Sequence, residues 1–227
     1  MKDQHTNLRH WIGILSPLAT PEPVSPQDND AALASMWGRN RPWVTACLRA
    51  VQQYRTNDRK PVLPDIDISA ITIPAPASEG STIANAVWLA YARFACGDSS
   101  TLTWLTQACA ALNPTALVHT SADNPEPWWQ NEMLILHALH SFALLTDDEA
   151  CLMKTLACAD FHLREIQPDH ATNEPWSIHA YANHPDGRVT AETLLHAGLI
   201  NNGGTLSPVS MLVACDAVYA MNVAMVR

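Results

Sequence analysis

Residues 162–184 read HLREIQPDHATNEPWSIHAYANH and hold the densest set of side chains that could do chemistry in this chain. His162, His170, His179 and His184 lie there with Glu165, Glu174, Asp169, Trp176 and Tyr181, divided by Pro168 and Pro175. Imidazoles and carboxylates transfer protons and bind metals, and aromatics beside them grip polar ligands, so the composition points to a site. The helix ahead of this segment ends in His162 and Glu165. These are three residues apart and share a helical face. The preceding helix-like run, 128–145, is separated from it by a very short turn at 146–147, so the two should pack antiparallel. Positions equidistant from that turn then face each other, which puts Glu132 level with His162 and Trp129 level with Glu165. Glu165, His162 and Glu132 are the catalytic candidates, as an acid/base set. The structural alternative is an ion pair that fastens the end of the helices.

Three further constellations accompany them. Asn173, Glu174, Trp176, His179 and Tyr181 read as a ligand-facing wall, an aromatic plate beside hydrogen-bonding groups; Trp faces stack on sugar rings and apolar polycycles alike. Asp169-His170 and Asn183-His184-Pro185 are also turn chemistry, the reading favoured for His184. Trp128 and Trp129 in NPEPWW (124–129) approach from the same end and either line the same mouth or plug it. His137 and His140 share a face at a spacing that can hold a metal, yet the same spacing serves a core histidine with a satisfied ring nitrogen. No metal set is assigned and no cofactor is implied. There is no phosphate-binding glycine loop, no G-x-S-x-G elbow and no H-E-x-x-H helix.

The elements that must position these groups are helical. Helices are expected over 30–37, 43–55, 81–96, 100–112, 128–145, 148–166, 189–199 and 208–225. Ser207-Pro208, and Asp147 or Asp148, supply N-caps; Gly97, Gly203 and Gly204 stand where a left-handed C-cap is needed. Strand signal is confined to IDISAITI (66–73), inside the proline-bounded segment 61–80, read as an extended loop. Ala-Cys recurs within apolar helical stretches at Cys47, Cys109, Cys158 and Cys215. The two intervals between the last three, 49 and 57 residues, suit a helical hairpin plus loop. The expected organisation is one all-α domain over 1–227: N-terminal helices in 1–60, the loop 61–80, and three hairpins in 81–227.

Hairpins at this period, rich in Trp and with long loops at one end, resemble the α/α-toroid superfamily of terpene cyclases, protein prenyltransferase β-subunits and six-hairpin glycosidases. The resemblance is architectural and covers about residues 81–227. It implies a partial toroid or an open solenoid, since a whole toroid needs about six hairpins. The cyclase DXDD motif, the QXXXGXW repeat and the prenyltransferase Asp-Cys-His zinc set are not found, which counts against a terpenoid cyclase.

Composition excludes other classes. Apolar residues at 48% can build a core, and 15% charged residues argue against disorder. A net charge of −9, with only 13 scattered Lys and Arg, disfavours nucleic acid. The six cysteines form no C-x-x-C pair and are expected as buried free thiols in a cytoplasmic protein. The apolar run at 11–15 is too short for a signal peptide. The stretch 206–226 is long enough to span a bilayer, but Asp216 near its middle points to a buried core helix, so no membrane partner is expected. Two main readings remain, with a terpenoid-binding or cyclase-like domain as a weaker third. One is a helical-repeat domain whose loop-end cleft binds a polar or glycan-like small molecule. In it Glu132, His162 and Glu165 would do hydrolase chemistry, or His179 and Tyr181 lyase chemistry. The other is a non-catalytic scaffold that binds protein or a second copy of itself.

Overall fold

The computed structural model describes residues 2–19, 41–57, 63, 68, 80–112, 126–166 and 175–227. Among them the chain is all-α, with helices α1 Lys2–Leu15, α2 Arg41–Asn57, α3 Gly80–Ala95, α4 Leu102–Ala111, α5 Glu126–Thr146, α6 Glu149–Phe161, α7 Ile178–Asn183, α8 Arg188–Asn201 and α9 Pro208–Val226. No strand occurs among the described residues. The helix expected at 30–37 and the strand signal at 66–73 lie outside them, except for Ile68, which is buried.

Local chemistry sets the helix ends. Asp148 caps α6 by accepting from the Cys151 amide at 2.9 Å, and Ser207 caps α9 by accepting from Ser210, with Pro208 following. Helix α3 closes in a Schellman turn: the Asp98 amide donates back to the Arg93 carbonyl, and Gly97 takes φ +86°. The α5–α6 turn uses the same device with Asp147 at φ +60°. Two helices were not anticipated. In α1 the apolar residues Leu8, Trp11 and Leu15 recur at helical spacing and are buried, while Arg9, His10 and Gly13 between them are exposed. Helix α7 is a short piece inside the segment read as a wall of loop residues.

The core gathers around α5. Residues 131–144 of this helix are buried on every side, including the polar Asn131, Glu132, His137, His140 and Ser141. Helices α3, α9, α6, α7 and α4 pack against it. Helices α3–α4 and α5–α6 form packed consecutive pairs. The third expected hairpin does not close in this way. Helix α8 packs chiefly on α7, whereas α9 packs on α5, α1 and α2. Gly187 starts α8 so close to the Tyr181 carbonyl that a Cβ would collide with that backbone oxygen.

The expectation of six free thiols fails at two positions. Cys109 of α4 and Cys151 of α6 form a disulfide across the α4–α6 interface, with Cα atoms 5.4 Å apart. Each lies on an apolar face, as read from sequence, but those two faces meet. Cys47, Cys96, Cys158 and Cys215 are free and buried. Helix α9 is long and apolar enough to cross a membrane by length and composition alone. About half of it is buried against α1, α2, α5 and α7, with Asp216 2% exposed at its middle.

Candidate functional site

The short α5–α6 turn brings Glu132 and His162 together as the register demanded. His162 Nε2 lies 3.2 Å from Glu132 Oε2, and each side chain is 2% exposed. In the neutral imidazole, an Nε2–H given to Glu132 leaves Nδ1 with its lone pair. Nδ1 has no hydrogen-bond partner among the described residues. Tyr181 of α7 and Cys158 of α6 lie within electrostatic range of this pair. Burial, then Cys158 and Glu132, raise the Tyr181 phenol well above its usual value, so it stays a proton donor. Burial and the Glu132 charge push the Cys158 thiol up to about 12, so it is no thiolate. The Tyr181 hydroxyl, fully buried, also has no partner among the described residues.

Glu165 does not join them. It is exposed, while His162 is 1% exposed. The cause is local: residues His162–Ile166 continue α6 as a π-helical turn. The wider π turn changes the angle between residues three apart, so the face shared in an α-helix is lost. Of the three expected residues the structure brings together Glu132 and His162, with Tyr181 within electrostatic range and Glu165 apart.

A second polar cluster lies in the core, and sequence reasoning missed most of it. Asp216 of α9 accepts four hydrogen bonds. Oδ1 takes Arg55 Nη1 at 2.9 Å and the Tyr91 hydroxyl at 2.7 Å; Oδ2 takes His137 Nε2 at 3.0 Å and the Ser141 hydroxyl at 2.9 Å. One carboxylate therefore joins α2, α3, α5 and α9. Burial alone would raise its pKa, but the Arg55 charge and the hydrogen bonds from His137 and Tyr91 hold it well below the usual carboxylate range. Arg55 also lies 3.8 Å above the Tyr219 ring. The sequence signal was present: a carboxylate in the middle of an apolar helix needs a partner once buried.

The network fixes the imidazole tautomers. His137 Nδ1 accepts from the Ser177 amide at 3.2 Å, so its Nε2 carries the proton given to Asp216. Ser141 donates to Asp216, so His179 Nε2–H must donate to Ser141, at 2.9 Å. Thr155 donates to the Leu152 carbonyl, so His140 Nδ1–H donates to Thr155. His179 Nδ1 and His140 Nε2 are left as bare acceptors. Burial first, and then His137, drive the His140 pKa down to about 3. Burial and the neighbouring His137 and His140 rings take His179 well below its usual value.

The other expected residues fall as follows. Trp176, His179 and Tyr181 are at most 2% exposed, so they form core around the cluster and not an open wall. His179 faces Ser141 and not Tyr181 as a catalytic partner, and Trp176 packs edge-on against Trp88 and His137. His184 follows the turn reading, its Nδ1 accepting from the Asp186 amide. Asp169, His170, Asn173 and Glu174 lie outside the described residues; Trp128 and Trp129 begin α5, their side chains undescribed. Among the described residues no group of three or more His, Cys, Asp or Glu is arranged to hold a metal ion.

The Glu132–His162–Tyr181 arrangement can accept a proton at one point and donate one at another, in surroundings where water competes little. Comparison of the chain with protein-family models, with characterised proteins and with solved structures returns no match.

Proposed function

We propose that this chain binds a polar small molecule at the end of the bundle where α5 begins and α6 ends, and that Glu132, His162 and Tyr181 hold it. The observation that carries this reading is a pair of buried groups without partners among the described residues, His162 Nδ1 and Tyr181 Oη, near a buried carboxylate–imidazole pair. Buried polar groups normally find partners, and leaving one without costs about 1–3 kcal/mol. An acceptor and a donor kept at that cost match a ligand carrying both, as a hydroxylated or glycan-like molecule does. If turnover accompanies binding, His162 backed by Glu132 is the base, and the Tyr181 hydroxyl, which holds its proton, serves as a hydrogen-bond donor to the substrate. The packed pairs α3–α4 and α5–α6 support a helical-hairpin repeat, and a partial α/α toroid remains the architectural proposal for residues 81–227. The Cys109–Cys151 disulfide supports an oxidising compartment over the cytoplasm, since cytosolic thiols are kept reduced.

A scaffold is the second reading, favoured by the low exposure of every candidate side chain and by the Asp216 network. Tyr181→Phe separates the two. It removes an unpartnered hydroxyl, so stability should hold or rise by about 1 kcal/mol, as expected of a group kept for function. Ligand-observed NMR against sugars, sugar acids and polyols should show saturable binding by the native chain, lost in Tyr181→Phe and Glu132→Gln. A panel with no binder, together with a clear loss of stability in Tyr181→Phe, would sink the binding reading and leave the scaffold.

A further inference from the structure

A concavity of about 920 Å³ lies along α6 and is bordered by α1 and α5; its lining does not include Glu132, His162 or Tyr181. Its volume falls in the range of small-molecule sites. Leu8 of α1 and Leu152, Met153 and Leu156 of α6 give it an apolar lining. Met153 is 61% exposed, an apolar side chain left open to solvent within the groove. One end carries two exposed carboxylates, Asp147 and Glu149, at the α5–α6 turn. The other end carries Asp160, which pairs with Arg164 at 2.9 Å and lies 3.6 Å from His184 Nε2. At 1.5 Å per residue the helix from Glu149 to Asp160 measures ~16 Å.

Asn183 adds an independent observation. It lines the groove, is 6% exposed, and neither its Oδ1 nor its Nδ2 has a hydrogen-bond partner among the described residues. A buried amide with both polar atoms unmet is costly and is unusual in a packed interior.

We propose that this groove binds a linear aliphatic polyamine. The chemistry matches along its length. Protonated amines at one end meet Asp147 and Glu149, methylenes lie on Leu152, Met153 and Leu156, and an inner or far ammonium donates to Asn183 Oδ1. The far carboxylate, Asp160, is already neutralised by an exposed arginine, so the main charge contact is at the turn. A bare divalent cation fits less well, because the described residues offer no cluster of three ligands. The net charge of −9 adds attraction at long range but no selectivity.

Spermine is the probe, titrated by calorimetry into the full chain, with 1,4-diaminobutane and magnesium chloride as comparators. Spermine should saturate one site, bind at least tenfold more tightly than the short diamine, and resist displacement by magnesium at equal charge. Asp147→Asn/Glu149→Gln should weaken spermine at least tenfold; asparagine tolerates the positive φ at 147, so the fold is kept. Asn183→Leu should weaken it at least threefold, with unchanged helical circular dichroism confirming the fold. Absence of saturable binding overturns the proposal. So does equal affinity in the double variant, which would reduce the effect to general charge attraction, or displacement by magnesium at equal charge. These substitutions leave Glu132, His162 and Tyr181 intact, so failure here is distinct from failure of the cluster reading.

Discussion

Asp216→Asn tests whether one carboxylate holds the bundle together. The substitution keeps volume and shape and removes the charge. Oδ1 of asparagine can still accept from Arg55 and Tyr91. Its Nδ2 would face two donors, His137 Nε2–H and the Ser141 hydroxyl, which now meet Oδ2 at 3.0 and 2.9 Å. His137 cannot turn its tautomer without losing the Ser177 amide bond to Nδ1. Arg55, with its side chain 7% exposed, would keep its charge with no counterion. Removing one partner of a buried pair costs about 3–5 kcal/mol, and each orphaned neutral donor adds about 1–3 kcal/mol, not fully additively. A loss of at least about 3 kcal/mol is therefore expected, a large share of the ~5–15 kcal/mol that holds a typical domain. Urea denaturation followed by circular dichroism measures it, provided the slope with denaturant stays constant. Arg55→Met alone should cost a similar amount, and Arg55→Met/Asp216→Asn should cost about 2 kcal/mol less than the sum of the singles. A single-variant loss under about 1 kcal/mol, or additive singles, would refute the keystone role.

Two other outcomes follow from the same structure. The folded state holds His140, depressed to about 3, and His179 neutral, while the unfolded chain protonates both near the ordinary value of about 6.5. Stability should therefore be full above about pH 6.5 and fall as pH drops toward about 3, at about 1.4 kcal/mol per pH unit per histidine; His140→Phe should flatten the slope of a urea-midpoint series between pH 7 and 4, and an unchanged slope would count against this. Asp216 contributes in a lower window, because a depressed carboxylate loses its stabilisation only below about pH 3.9. Cys109 and Cys151 are 42 residues apart, so reducing their disulfide should cost about 4 kcal/mol on the loop-entropy account; thiol titration of the denatured, unreduced chain should count the four free cysteines, and six would show that the bond does not form.

Periodicity and caps made the long helices legible, along with the Glu132–His162 register, because a two-residue turn transmits phase from one helix to the next. Each miss has a physical cause. Glu165 was placed by α-helical phase, and the π turn at 162–166 changed the phase in the last turn. Cys109 and Cys151 each sit on an apolar face, but which faces meet depends on how α4 packs on α6, a tertiary fact with no local signal. Trp176, His179 and Tyr181 read as a wall because their segment is polar and proline-bounded, whereas their burial follows from α7 docking on α5. Asp216 was noted only as an argument against a membrane span. Its need for a cation was readable, but the choice of Arg55, 161 residues away, was not.

The two buried clusters differ in a way that bears on function. Around Asp216 every carboxylate lone pair is used, so that cluster fastens helices, and changing it should show first in stability. Around Glu132 the accounts stay open: the His162–Glu132 contact is made, yet His162 Nδ1 and Tyr181 Oη have no partners among the described residues. Phenylalanine at 181 would fill the same space without a stranded hydroxyl. Selection for stability alone would favour it, whereas selection for a ligand that meets the hydroxyl would keep tyrosine. The unmet atoms of Asn183 in the α6 groove pose the same choice at a second place, with leucine as the stable substitute. Stability gained together with binding lost at 181 and at 183 would mark both positions as sites, and it would assign the fastening role to Asp216.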